Sequence, residues 1–251
     1  MARAAVRGRL NWQIGTVVEL IDETTHTRSI VLDLPDWPGH LAGQHVDVRL
    51  TAEDGYQAQR SYSVASAPED GYVVLTVELL DDGEVSPYLT GELQVGDQLE
   101  LRGPIGGYFV WTSATGGPVQ LFAGGSGVVP FRAMLRHRAA SNSTVPLRLL
   151  YSARRLDEVI YRDELARFAA NDETDIRFTL TREWPNSWRG YRRRVDRDIV
   201  EEAAWPPEDR PLVYVCGPSS FVETIAEAMV ELGHDQSRIK TERFGASGGP
   251  G

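Results

Sequence analysis

Leu121-Phe122-Ala123-Gly124-Gly125-Ser126-Gly127-Val128-Val129-Pro130 is the stretch on which the fold turns. A short apolar run enters a group of glycines and continues into a segment with helical spacing. Glycines let a backbone approach a ligand closely, and the free N–H groups of a helix start favour an anion. Strand, glycine turn and helix in that order make a nucleotide-phosphate site by geometry. The usual fingerprint Gly-x-Gly-x-x-Gly is not met, because Pro130 stands where its last glycine would fall.

Toward the C-terminus, strands and helices alternate. Strands are expected at Val119–Ala123, Leu147–Tyr151, Ile176–Leu180, Leu212–Cys216 and Ile239–Thr241, and helices at Val128–Ala140, Leu156–Ala170 and Ser219–Leu232. This pattern implies an α/β domain, a five-stranded parallel sheet covered on both faces. Toward the N-terminus the texture changes. Residues 112–118 are rich in Ser, Thr, Gly and Pro and read as a connection. Before them apolar residues alternate, as in Ile30-Val31-Leu32-Asp33-Leu34, Val46-Asp47-Val48-Arg49-Leu50 and Val73-Val74-Leu75-Thr76-Val77, with Gly, Pro and Asp turns between. About six such segments predict an antiparallel six-stranded β-barrel. The expected division is a tail over 1–11, the barrel over 12–113, a linker over 114–118, the α/β domain over 119–244 and a flexible tail over 245–251.

Composition narrows the classes. A net charge of −10 over 251 residues argues against a nucleic-acid binder, which would carry a basic stripe. Cys216 is the single cysteine, so neither a disulfide framework nor a four-thiolate Fe–S cluster is built from this chain. His, Asp and Glu show no ligand spacing, and no metal is expected. Residues 1–10 carry Arg3, Arg7 and Arg9 without a secretory apolar core, and no run approaches the ~20 apolar residues of a membrane span. The expectation is a soluble, cytoplasmic, monomeric protein.

The chemistry begins at Arg60-Ser61-Tyr62-Ser63-Val64-Ala65-Ser66. An arginine fork suits a phosphate, a tyrosine ring can lie against a flat heterocycle, and a serine hydroxyl can donate to a ring nitrogen. Alone, the segment is equally a strand with alternating polar residues. It is joined by Ala42-Gly43-Gln44-His45-Val46 upstream, by Gly83-Glu84-Val85-Ser86-Pro87-Tyr88-Leu89, and by Gly103-Pro104-Ile105-Gly106-Gly107-Tyr108-Phe109. Together and in this order they resemble the Arg-x-Tyr-Ser, Gly-x-x-Ser and Gly-Pro-x-Gly-x-Phe motifs of the ferredoxin–NADP reductase superfamily, with Ala42 where a proline is usual. The superfamily's second domain carries Gly-Gly-x-Gly-x-x-Pro, which Gly124-Gly125-Ser126-Gly127 and Pro130 match. The resemblance runs from about Trp12 to Phe244.

That resemblance implies FAD on the barrel, held by Arg60, Ser61, Tyr62, Ser63, Val77, Gly83, Val85 and Ser86. It implies NAD(P)H on the α/β domain, held by Gly124, Gly125, Gly127, Pro130, Cys216, Gly217, Pro218 and Phe244. Ser63, Cys216, Glu242 and Phe244 are the expected catalytic group, with Ser63 donating toward flavin N5, Cys216 shaping the nicotinamide site and Phe244 covering the flavin. An NAD site would usually place a carboxylate after the second strand. Ser152 and Arg154 stand there instead and Arg182 follows the third strand, which fits the 2′-phosphate of NADPH, although NADH remains possible and the arginines can equally be solvated surface. The arginine-rich loop 189–194 is either a partner surface or a solvated loop. The implied function is an NAD(P)H oxidoreductase whose electrons go to a separate acceptor: a ferredoxin, an oxygenase component or a molybdopterin enzyme. A self-sufficient flavin reductase and a non-catalytic flavin-binding subunit are the alternatives.

Overall fold

In β2 (Thr27–Asp33), Ile30 and Leu32 are fully buried while Asp33 is exposed; in β5 (Val73–Glu78), Val73, Leu75 and Val77 point inward together. A period of two buries one face of a strand, and each such Val, Leu or Ile contributes about 1.5–3 kcal/mol. A computed structural model of the chain describes residues 10–170 and 174–244. The expected tail over 245–251, and all but the end of that over 1–11, lie outside the described residues. The remaining N-terminal strands are β1 (Trp12–Thr24), β3 (His45–Thr51), β4 (Gln57–Ser63) and β6 (Gln98–Ile105). They form an antiparallel sheet in the order β4-β3-β6-β1-β2-β5. Its two ends meet at a single bridge, Val64 with Leu75, reinforced by Ala65 N donating to Val74 O. The sheet is therefore closed at one end only. Toward Arg60 on β4 and Val77 on β5 no ladder joins the two edges among the described residues.

The C-terminal half is built on β7 (Val119–Gly124), β8 (Leu147–Ala153), β9 (Thr174–Leu180), β10 (Leu212–Pro218) and β11 (Ile239–Phe244), all parallel in the order β11-β10-β7-β8-β9. Every residue of β7 is buried, as expected of a strand covered on both faces. Helices α1 (Val129–Ala140) and α2 (Arg162–Ala169) cover one face, and α3 (Arg197–Ala203) and α4 (Ser219–Glu231) the other.

Three expectations are corrected here. The single helix over Leu156–Ala170 is a 3₁₀ turn at Leu156–Glu158 followed by the shorter α2, with Tyr161 between them in the left-handed region at φ 59°. Helical spacing is continuous there, yet Val159 is extended and Ile160 turns, and both are drawn into the core. Helix α3, not anticipated, is capped by Asp196, whose side chain accepts from Ile199 N. Gly103-Pro104-Ile105 belongs to the end of β6, and the turn begins only at Gly106, where φ is 103°.

The halves share a core. One buried cluster joins Ala42, Ala65, Phe109 and Trp111 of the first half to Ala123, Phe131, Met134, Tyr214 and Cys216 of the second. Around it, Arg136 of α1 forks onto both oxygens of Asp70 at 2.7 Å and reaches Glu164 of α2 at 2.7 Å. Tyr161 donates to Thr76 of β5, and Tyr214 donates to Val110 O at 2.8 Å.

Candidate functional site

Alternation along β4 puts Arg60 and Tyr62 on one face and Ser61 and Ser63 on the other. Tyr62 is half-buried, and burial pushes its hydroxyl up to about 12, so it stays neutral. Ser61 behaves differently from the expectation of a ligand donor. Its hydroxyl donates to Asp47 at 2.6 Å, and Asp47 also takes Arg102 at 2.6 Å, which leaves only the Ser61 backbone for a ligand. Val77 and Val85 are buried in the barrel core and can shape a site only through their backbone and bulk.

The turn from Gly83 to Ser86 is held by its own chain. Leu80 N donates to Ser86 Oγ at 3.1 Å, and Gly83 N donates to Leu80 O at 2.8 Å. Beyond it lies a single helical turn, Tyr88–Glu92. Glu84, within the turn, accepts from Arg60 at 2.5 Å and from Tyr56 hydroxyl at 2.6 Å, and these two donors hold its carboxyl below the usual range.

In the second half, the two critical glycines of the turn after β7 are required for different reasons. Gly125 has φ 55° and open space around it, so its need is conformational. At Gly127 an added Cβ would lie 2.1 Å from Cys216 O and 2.5 Å from Cys216 C. The turn is pressed directly onto the end of β10. Gly124 and Gly217 lie side by side beneath the ring of Phe221, whose atoms would meet a Cβ on either. Pro130 is buried in the first turn of α1, where its missing N–H leaves no orphan.

On one side of this turn stand Cys216 and Pro218, in register with Glu242 and Phe244 of the edge strand. Cys216 is buried, and burial together with the nearby Glu242 charge raises its thiol well above its ordinary value, so it is no nucleophile. Glu242 is mostly buried, its Oε2 finds no partner among the described residues, and desolvation pushes it up to about 7. On the other side, Ser152 is in register with Gly124, and Arg182 N donates to Arg154 O at 2.9 Å. Arg154 and Arg182 are exposed, with no ion-pair partner among the described residues. Arg155 is engaged instead by Asp157 at 3.3 Å and Glu158 at 3.2 Å.

The residues fit both cofactors. β4 and β5 are the two edge strands of the first sheet, and β4 carries Arg60, Tyr62 and Ser63 along its edge. The glycine turn lies midway between the Cys216 side and the Arg154 side, as an extended dinucleotide requires. Ala65, two residues past Ser63, shares its buried cluster with Ala123 and Cys216, and Phe244 packs against that cluster. Sequence reading missed Phe221, Tyr56 and Tyr161. A signal existed for Phe221, an aromatic in the first turn of the helix that follows Cys-Gly-Pro. None existed for the other two, whose partners are distant in the chain.

Comparison with known proteins agrees with this geometry. Residues 15–110 match the oxidoreductase FAD-binding domain and residues 121–227 the oxidoreductase NAD-binding domain. The glycine betaine monooxygenase reductase subunit of Chromohalobacter salexigens is 30% identical over 236 residues, which are 92% of this chain and 63% of that protein. NADH-cytochrome b5 reductase 1 of Aspergillus terreus is 30% identical over 204 residues, 78% of this chain and 68% of that one. The FAD/NAD-binding domain of a Vibrio cholerae nitric oxide dioxygenase superposes with a TM-score of 0.81 at 26% identity, covering 92% of this chain and 98% of the other. The chain thus spans slightly less than two thirds of the bacterial reductase subunit.

Proposed function

The chain belongs to the family of oxidoreductases that join an FAD-binding domain to an NAD-binding domain, and on that footing we propose that it passes a hydride from NADPH to bound FAD and delivers the electrons to a separate acceptor protein. The carrying observation is the shared core that puts Cys216 of β10, with Phe244 of β11 packed against it, in one cluster with Ala65, two residues beyond Ser63. Flavin bound there would supply the chemistry that accepts a hydride and releases electrons singly.

The chain's own residues supply position and field. Arg60 and the Gly83–Ser86 turn hold the flavin diphosphate, and Tyr62 supports the ring. Ser63 donates to the ring nitrogen that takes the hydride. Gly125 and Gly127 let the coenzyme diphosphate approach the start of α1. Arg154 and Arg182, with Ser152, take the 2′-phosphate, since the carboxylates that follow β8 are occupied by Arg155. Cys216 and Phe244 exclude water and fix the nicotinamide, and Glu242 in its protonated form can offer it a hydrogen bond. A relative named as a monooxygenase reductase subunit and another named as a cytochrome b5 reductase support an acceptor outside the chain, such as an oxygenase component or a ferredoxin.

Steady-state kcat/KM for NADPH and NADH, with ferricyanide, free flavin and a panel of ferredoxins as acceptors, tests this. The expected pattern is a preference for NADPH that falls roughly tenfold in Arg154→Ala, and a protein acceptor better than free flavin. A preference for NADH unchanged in Arg154→Ala makes the arginines surface residues. Free flavin as the best acceptor makes the chain a self-sufficient flavin reductase.

A further inference from the structure

Arg60 already has a carboxylate partner within the fold. Its Nη2 lies 2.5 Å from Glu84 Oε2, its Nη1 donates to Gln59 O at 2.7 Å, and the other Glu84 oxygen accepts from the Tyr56 hydroxyl at 2.6 Å. The side chains of Arg60 and Glu84 are each 46% exposed, so an incoming anion can reach the pair. Glu84 is part of the Gly83–Ser86 turn itself, and Asp81 and Asp82, both exposed, immediately precede that turn. Arg28, on the hairpin that meets the end of β5, is paired with Asp22 at 2.7 Å.

The turn that faces a diphosphate in the flavin reading, with the two residues before it, thus presents three carboxylates against one arginine. A lone guanidinium would offer a full charge and a free fork. Arg60 must instead turn from Glu84 or share itself, while the Glu84 charge stays within a few ångströms of the phosphates, where like charges repel. The Tyr56 hydrogen bond fixes Glu84 in this place.

We propose that Glu84 sets the affinity for flavin: by holding Arg60 and placing a like charge at the diphosphate turn, it weakens retention of FAD while leaving phosphate-free riboflavin unaffected. This rests on reading the first domain as a flavin site. A chain built in this way exchanges FAD with solution more readily than one with a neutral residue at position 84. Tyr56 is a positioning residue for the same effect.

Flavin-stripped protein titrated with FAD and with riboflavin, following quenching of flavin fluorescence, tests the proposal in wild type, Glu84→Gln, Tyr56→Phe and the double variant Arg60→Ala/Glu84→Gln. Thermal unfolding of each confirms that it is folded. Glu84→Gln is expected to tighten FAD by roughly 1.5- to fivefold, the range of an exposed ion pair, with riboflavin unmoved. Tyr56→Phe is expected to shift FAD the same way by a smaller factor, and the double variant to lose most of the gain. Unchanged or weaker FAD binding in Glu84→Gln overturns the proposal while leaving the flavin reading intact. Failure of every variant and of wild type to bind FAD overturns both.

Discussion

Gly127→Ala is the substitution whose effect the structure defines most narrowly. The added Cβ would sit 2.1 Å from Cys216 O, 2.5 Å from Cys216 C and 2.9 Å from Gly217 N, all backbone atoms of β10. Ordinary contact begins at 3.4 Å, so the turn and the strand end must part by about 1.3 Å. No side chain can rotate away to absorb this. Overpacking of this kind costs about 1–3 kcal/mol and lowers Tm by roughly 2–4 °C per kcal/mol in a chain of this size. The functional cost is larger, because the displaced groups are the coenzyme turn and Cys216, and a shift of about 1 Å at a reacting centre costs on the order of a hundredfold in rate. Stopped-flow flavin reduction, with FAD content measured on the same sample, is expected to show FAD retained and reduction slowed about a hundredfold. At Gly125 nothing lies within 4 Å of an added Cβ, so Gly125→Ala carries only the conformational cost of a φ of 55°, ~1–2 kcal/mol, and does not part the turn from β10. A Gly127→Ala protein that binds coenzyme and reduces flavin normally would refute the reasoning.

Other perturbations have signs that can be worked out in advance. Cys216→Ala is expected to slow flavin reduction while FAD content and unfolding stay nearly unchanged; a normal rate makes the thiol a core group only. Glu242, with its pKa raised from 4.5 to about 7, contributes stability that is full below 4.5 and is lost as pH rises toward 7. Urea unfolding should therefore find Glu242→Gln more stable than wild type near pH 8, by at most ~3 kcal/mol, with most of the gap gone near pH 5. Parallel pH profiles would contradict this. Arg136 outweighs the burial that opposes ionising Asp70 and, with Arg132, does the same for Glu164, so both carboxyls lie below the usual range. Arg136→Ala is expected to lose ~1.5–3 kcal/mol at neutral pH, with the difference shrinking as pH falls through the carboxylate range; an unchanged urea midpoint would show the pair to be inert.

Much of this molecule could be read in its sequence because the signals are local. The run from Leu121 to Pro130 codes strand, turn and helix within ten residues, and alternation in Ile30–Leu34 or Val73–Val77 codes an inward face directly. The break before α2 was not legible, since Val159 and Ile160 keep helical spacing while tertiary burial pulls them out of the helix. Helix α3 had a visible cap in Asp196 but is too short for periodicity to show. The engagement of Ser61 by Asp47, of Arg60 by Glu84 and of Tyr161 by Thr76 depends on how the barrel closes and the halves dock. Residues that sequence reading groups by motif are thereby divided into those with free chemistry and those already committed to the fold.

The central claim is that hydride transfer occurs between the two halves of this chain. Anaerobic mixing of the purified protein with NADPH, following the flavin absorbance in a single turnover, tests it most directly. The expected result is complete loss of the oxidised flavin band and its return when a one-electron acceptor protein is added, with FAD bound throughout. Flavin that stays bound and oxidised in the presence of both NADPH and NADH would contradict it, leaving a flavin-binding module without hydride transfer.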